Sequence, residues 1–138
     1  MAFLGKKFKR TKWENIDELV RVSNANENVT QMLTCNAPTF CFTRSDKDKL
    51  TLTLQMVDRV LSHTFTLSEE HEMERKNGSK VKMTYTLENE NVLKQVIKLP
   101  DGKVVYFRRE FGETEAKMII TMEGTDEQAI VYYEVVSQ

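Results

Sequence analysis

The sequence predicts a mostly β chain: about ten short antiparallel strands, closed as a barrel or folded as a sandwich, with two short helices inserted after the first strand. Three observations predict it. From Pro38 onward, apolar and polar residues alternate with period two almost without interruption, the signature of strands with one buried face. Turn signals punctuate that alternation at regular intervals: Ser45–Lys49, Asn77-Gly78, Glu88–Asn91, Pro100-Asp101-Gly102, Gly112–Ala116 and Gly124–Glu127. Before Pro38 the apolar spacing switches to the three-and-four pattern of amphipathic helices.

The elements follow in order. Residues 5–11 read as a first strand carrying Phe8 among cations. Lys6, Lys7, Lys9, Arg10 and Lys12 suit a solvated edge strand blunted by lysines better than a nuclear-import or phosphate-binding patch. Thr11 and Glu14 have the spacing of a capping box, and Ile16, Leu19 and Val20 form one helical face after them. Asn24-Ala25-Asn26 breaks that helix. Val29, Met32 and Leu33 begin a second, which Pro38 ends. Neither helix is long enough to stand alone, so both must pack on the strands.

The strands then come in succession. Phe40 and Phe42 share a face, and Leu50, Leu52, Leu54 and Met56 alternate with Thr51, Thr53 and Gln55. Asp58 sits in the turn before Leu61, His63, Phe65 and Leu67. The Asn-Gly pair at 77–78 sets residues 70–76 against 80–87, with Val81, Met83, Tyr85 and Leu87 on one side. Leu93, Gln95, Ile97 and Leu99 follow, then the strand 103–111. Met118, Ile120 and Met122 lead to a last strand whose inner face is Ala129, Val131, Tyr133 and Val135.

The strand 103–111 holds the sharpest chemical clue. Val105, Phe107, Arg109 and Phe111 share one face, apolar except for a guanidinium that cannot lose its charge. An interior guanidinium needs an anionic or strongly hydrogen-bonding partner. Three readings stay open: an internal glutamate, a slipped register that turns Arg109 to water, or a ligand carboxylate held bidentately.

Composition narrows the function. The chain has 138 residues, 40% hydrophobic and 30% charged, with a net charge of -1. That describes one globular domain over 1–138 with no general pull toward nucleic acid or anionic membrane. No apolar run approaches a membrane span, and the N-terminus lacks a signal peptide's apolar segment, so a cytoplasmic protein is expected. Cys35 and Cys41 fit reduced thiols there. The glycosylation triplets at Asn28 and Asn77 read as chance. His63 and His71 are the two histidines, and no third ligand has metal-site spacing, so neither metal nor cofactor is expected. No nucleophile elbow, phosphate loop or Cys-x-x-Cys is present. Asp58 with His63 is the one acid–base pair that a small cavity enzyme acting on a hydrophobic substrate would have.

The layout resembles the intracellular fatty-acid-binding proteins over essentially the whole chain. The resemblance rests on Gly5-Lys6-Lys7-Phe8-Lys9, Glu14-Asn15-Ile16-Asp17-Glu18, Pro38 opening the second strand, Phe65-Thr66-Leu67 and Lys80-Val81-Lys82. It implies a ten-stranded β-clam around one lipid, with a two-helix lid after the first strand. It also implies a non-catalytic carrier of a long-chain fatty acid or related amphipathic lipid. Such a carrier is expected to be a monomer without nucleic-acid partner or stable membrane association, cytoplasmic, with delivery of a lipid signal to the nucleus as the alternative role. Family members usually hold the carboxylate with two arginines and a tyrosine. The first arginine maps onto Arg109 and the tyrosine onto Tyr133, but the second arginine is replaced by Val131. His63 is the candidate to supply the missing donor, against a core histidine bonded to backbone or water. The cavity wall would come from Phe40 and Phe42, Leu54 and Met56, Phe65, Met83 and Tyr85, and Ile120 and Met122. The lid and portal would be Ile16, Leu19, Val20, Val29, Met32 and Leu33 with Val57 and Asp58. Val57-Asp58 stands where relatives often carry an aromatic residue, and Asn24-Ala25-Asn26 replaces a glycine-rich turn, which implies a stiffer lid and a more polar entrance.

Overall fold

Antiparallel pairing runs unbroken through ten strands in the computed structural model, which describes residues 3–22, 39–55, 60–74, 80–99 and 102–136. They are β1 (Lys7–Glu14), β2 (Thr39–Asp46), β3 (Lys49–Gln55), β4 (Val60–Thr66), β5 (His71–Glu74), β6 (Lys80–Asn89), β7 (Val92–Lys98), β8 (Val104–Phe111), β9 (Glu115–Met122) and β10 (Gln128–Val135), with helix α1 (Ile16–Val22) after β1. The spatial order is β4-β3-β2-β1-β10-β9-β8-β7-β6-β5. Every neighbour is a chain neighbour except β1 and β10, which join the two halves. Rings from distant strands meet across the interior: Phe42 on β2 lies 6.3 Å from Phe111 on β8, and Phe65 on β4 stacks on Tyr85 of β6 at 3.8 Å. The sheet therefore curls into a nearly closed barrel rather than a two-sheet sandwich. Its one seam lies between β4 and β5, consecutive in sequence yet at opposite ends of the sheet.

Strand parity decides what faces inward. On β9 the burial alternates residue by residue, with Ala116, Met118, Ile120 and Met122 buried. On β8, Val105, Phe107 and Phe111 are buried while Tyr106 is exposed. Aromatic residues close one end of the barrel. Phe3 stacks on Phe111 at 4.1 Å and meets Phe42 edge-on at 5.7 Å, and the Gly5 amide donates to the Phe42 carbonyl at 2.8 Å. Each such ring contributes about 1.5–3 kcal/mol by leaving water. The buried inner residues form one continuous core cluster.

The first strand departs from the sequence expectation. It continues to Glu14, so the helix does not start at the Thr11–Glu14 capping box. Tyr132 on β10 engages both residues instead. Thr11 Oγ1 donates to the Tyr132 carbonyl at 3.3 Å, and Tyr132 Oη donates to the Glu14 carboxylate at 3.3 Å. A register shift between Arg10 and Lys12 absorbs the extra residue. Asn15 makes the turn instead, with φ at 64°, a left-handed backbone that Asn tolerates. Its side-chain amide donates to Glu127 Oε2 at 2.8 Å and to the Gln128 carbonyl at 2.9 Å, while its own carbonyl accepts the Leu19 amide at 3.1 Å to start the helix. Ile16 and Leu19 are buried beneath α1, which packs on β10. The second helix expected around Val29, Met32 and Leu33, and the Asn77-Gly78 turn, lie outside the described residues, as does the side chain of Val20. Among the described residues, no helix is long and apolar enough to cross a membrane.

Candidate functional site

Parity puts Arg109 inside the barrel. Its β8 neighbours Phe107 and Phe111 point the same way, and its guanidinium lies 5.6 Å from the Phe107 ring and 5.7 Å from the Phe42 ring on the far wall. Arg109 is partly buried, as are Met83 and Leu54, the last two packed against the core cluster.

The register then supplies its partner. Arg109 pairs with Leu93, and Gln95, two residues along β7, projects to the same inner face. Arg109 Nη1 donates to Gln95 Oε1 at 2.7 Å, and Gln95 Nε2 donates to Met83 Sδ at 3.4 Å. Gln95 is 4% exposed and stands as the buried polar residue in the core of the described chain. Burial pulls the Arg109 pKa down, with the Tyr85 and Tyr133 side chains acting against that pull. Guanidinium chemistry keeps the group charged regardless. Both tyrosines are pushed up by burial, and the Arg109 charge works the other way on each. The centre is thus one cation, one carboxamide and two phenols on an apolar wall. Arg109's partner among the described residues is neutral, neither the internal glutamate nor the bulk water that sequence left open.

Tyr133 sits on β10, edge-on to Phe40 at 4.7 Å. Val131 lies on Arg109's own row: Arg109 pairs with Met118, and Met118 pairs with Val131. Val131 is fully buried, so an apolar side chain fills the place where the resemblance would set a second arginine. Phe40, Phe42, Phe65, Tyr85, Ile120 and Met122 are all buried on inward faces. Met56, Val57 and Asp58 lie outside the described residues.

His63 meets the other histidine of the chain. Its Nε2 stands 2.9 Å from Nε2 of His71, across the β4–β5 seam. The two rings, with Lys49, Glu69 and Glu72, border a hollow of about 300 Å³. Burial, and then the neighbouring His71, hold the His63 pKa below the usual imidazole range. Nδ1 of His71 is buried without a hydrogen-bond partner among the described residues. No cluster of three potential metal ligands forms among the described residues.

Two residues escaped the sequence reading as site members. Gln95 carried a signal, since it interrupts an apolar inward phase as Arg109 does. His71 carried none, because its meeting with His63 depends on barrel closure rather than on any local pattern.

No family model matches the chain. A fatty acid-binding protein of Clonorchis sinensis is 28% identical over 120 residues, 87% of this chain and 86% of that protein. Among solved structures, a Schistosoma mansoni fatty acid binding protein in complex with arachidonic acid superposes with a TM-score of 0.79 at 28% identity, covering 99% of this chain and 97% of that one. The fatty-acid-binding protein of Manduca sexta gives a TM-score of 0.78 at 26% identity, covering 96% and 98%. The resemblance drawn from the short motifs therefore extends along the full length and through the fold.

Proposed function

We infer that this chain, a relative of the fatty-acid-binding proteins, is a non-catalytic carrier that encloses one long-chain fatty acid or similar amphipathic lipid in its barrel. The observation that carries the reading is Arg109, a cation turned into an apolar interior whose hydrogen-bond partner is a neutral amide. A carboxylate entering from outside completes that arrangement, because a guanidinium presents paired N–H donors that match two carboxylate oxygens. Tyr85 and Tyr133 flank the guanidinium and would add hydroxyl donors. Two energies divide the work. Each methylene leaving water contributes about 0.8 kcal/mol, so the acyl chain supplies most of the affinity. The buried ion pair returns little net energy after desolvation, and instead sets orientation and selects for an acid. The reading makes the chain a monomeric shuttle of the cytoplasm.

The test is extraction and mass spectrometry of lipid bound to the native protein, with calorimetric titration of the delipidated chain. A stoichiometric acidic amphiphile and one saturable fatty-acid site are expected. A chain that carries no amphiphile and gives no heat with fatty acids is not this carrier.

A further inference from the structure

The β4–β5 seam lacks the main-chain ladder that joins every other neighbouring pair of strands, and side chains span it instead. At 2.9 Å the His63 and His71 Nε2 atoms are at hydrogen-bonding distance, which requires one ring to donate and the other to accept. His71 Nδ1 identifies the donor. A buried bare N–H is costlier than a buried bare lone pair, so the unpartnered Nδ1 is the unprotonated atom. His71 therefore donates from Nε2, and His63 Nε2 accepts.

We propose that His63 and His71 form a proton-operated clasp, closing the seam while His63 Nε2 is free to accept and releasing it once that atom is protonated. A proton added to His63 Nε2 turns N–H against N–H across two rings whose centres lie 4.8 Å apart. Aromatic packing backs the pair on one side: His71 stacks on Tyr85 at 6.1 Å, and Phe65 lies against that same ring at 3.8 Å.

Charges reach the pair from every side. Lys49 approaches from β3, Glu69 from the β4–β5 turn and Glu72 from β5, the last held by Lys80 of β6 at 3.6 Å. The two carboxylates favour protonation of His63, while its burial and then the neighbouring His71 oppose it. The balance delays His63, in line with its depressed pKa. A metal is a poorer occupant, because His71 Nδ1 lacks the carboxylate or carbonyl that orients a ligating imidazole.

Hydrogen exchange on the ligand-free chain between about pH 5 and 7.5 tests the clasp. After correction for intrinsic exchange, amides of β4 and β5 should speed up by as much as about tenfold per unit fall in pH, while β9 and β10 hold steady. His63→Gln and His71→Leu should each abolish that slope. If either variant fails to fold, imidazole NMR of the wild-type chain replaces it, and the His63 midpoint should coincide with the onset of seam exchange. Flat seam exchange, a slope that survives His63→Gln, or a His63 midpoint away from that onset would each overturn the proposal. Any role in lipid release rests on the carrier reading, but the clasp is tested without ligand, so the two fail separately.

Discussion

Arg109 on β8 and Gln95 on β7 meet inside the barrel wall, with Nη1 donating to Oε1 at 2.7 Å. The bond satisfies part of the guanidinium without neutralising it. On the carrier reading, the guanidinium donors that Gln95 leaves are the ones a carboxylate would take.

Replacing Arg109 with leucine should therefore separate head group from chain. Affinity for fatty acids should fall by about 1.5–3 kcal/mol, the range for a lost hydrogen bond to a charged group. Affinity for the matching fatty alcohol should change little. Calorimetry on both ligand series checks this, and equal losses would mean that Arg109 serves the fold rather than the ligand.

Much of this centre was legible in the sequence because strand parity is a local rule. Arg109, Tyr133 and the inward phases of β6 to β10 all follow from alternation with period two. Pairings are not local. That Gln95 reaches Arg109, or that His63 meets His71, depends on register and on the closure of the sheet. The β1–α1 boundary was misread for a related reason. Thr11 and Glu14 have capping-box spacing, but Tyr132, far along the chain, offers both of them partners on β10.

Val131 stands where the resemblance would set a second guanidinium, on the same row as Arg109 and two strands away, about 10 Å by sheet spacing. Val131→Arg should lower the melting temperature of the empty protein, since it buries a charge with no anion to meet. Saturating fatty acid should restore more of the melting temperature than it adds to the wild type. Val131→Met, which brings bulk without charge, should show no such excess. Equal destabilisation with and without fatty acid would show that the head group does not reach this row.

Outside the barrel, Glu88 bridges two strands. It accepts from Arg108 at 2.7 Å and pairs with Lys94 at 3.0 Å, while Arg108 also donates to Glu110 at 2.8 Å. The Arg108 hydrogen bond, then that of Lys94, hold the Glu88 pKa at about 2. A carboxylate with its folded pKa below its unfolded one stabilises at pH values above the unfolded pKa, and that contribution disappears as pH falls through the folded value. Glu88→Gln should thus shift the urea midpoint slightly at neutral pH, and the shift should shrink below about pH 4.5 and vanish near pH 2. Because the network is exposed, added salt should shrink it too. A difference that persists near pH 2 would point to packing rather than charge.

The last prediction concerns how the lipid leaves. A helical lid that hands over lipid by striking membranes needs cations facing anionic head groups, each contributing about 1 kcal/mol near the surface. Residues 14–36 contain Glu14, Asp17, Glu18 and Glu27 against Arg21 alone, four negatives and one positive, or -3. Even Arg21 is engaged, since its Nε donates to Glu18 Oε2 at 3.0 Å. The cations of β1 do not make up the deficit at the lid, because they are spread along a strand that pairs with β10. Release should therefore run through water after the barrel opens, with a rate set by the protein alone. Stopped-flow transfer of a fluorescent fatty acid to vesicles should be nearly independent of vesicle concentration and of their content of acidic lipid. A rate that climbs in proportion to acidic vesicles would show that the protein delivers its lipid by collision.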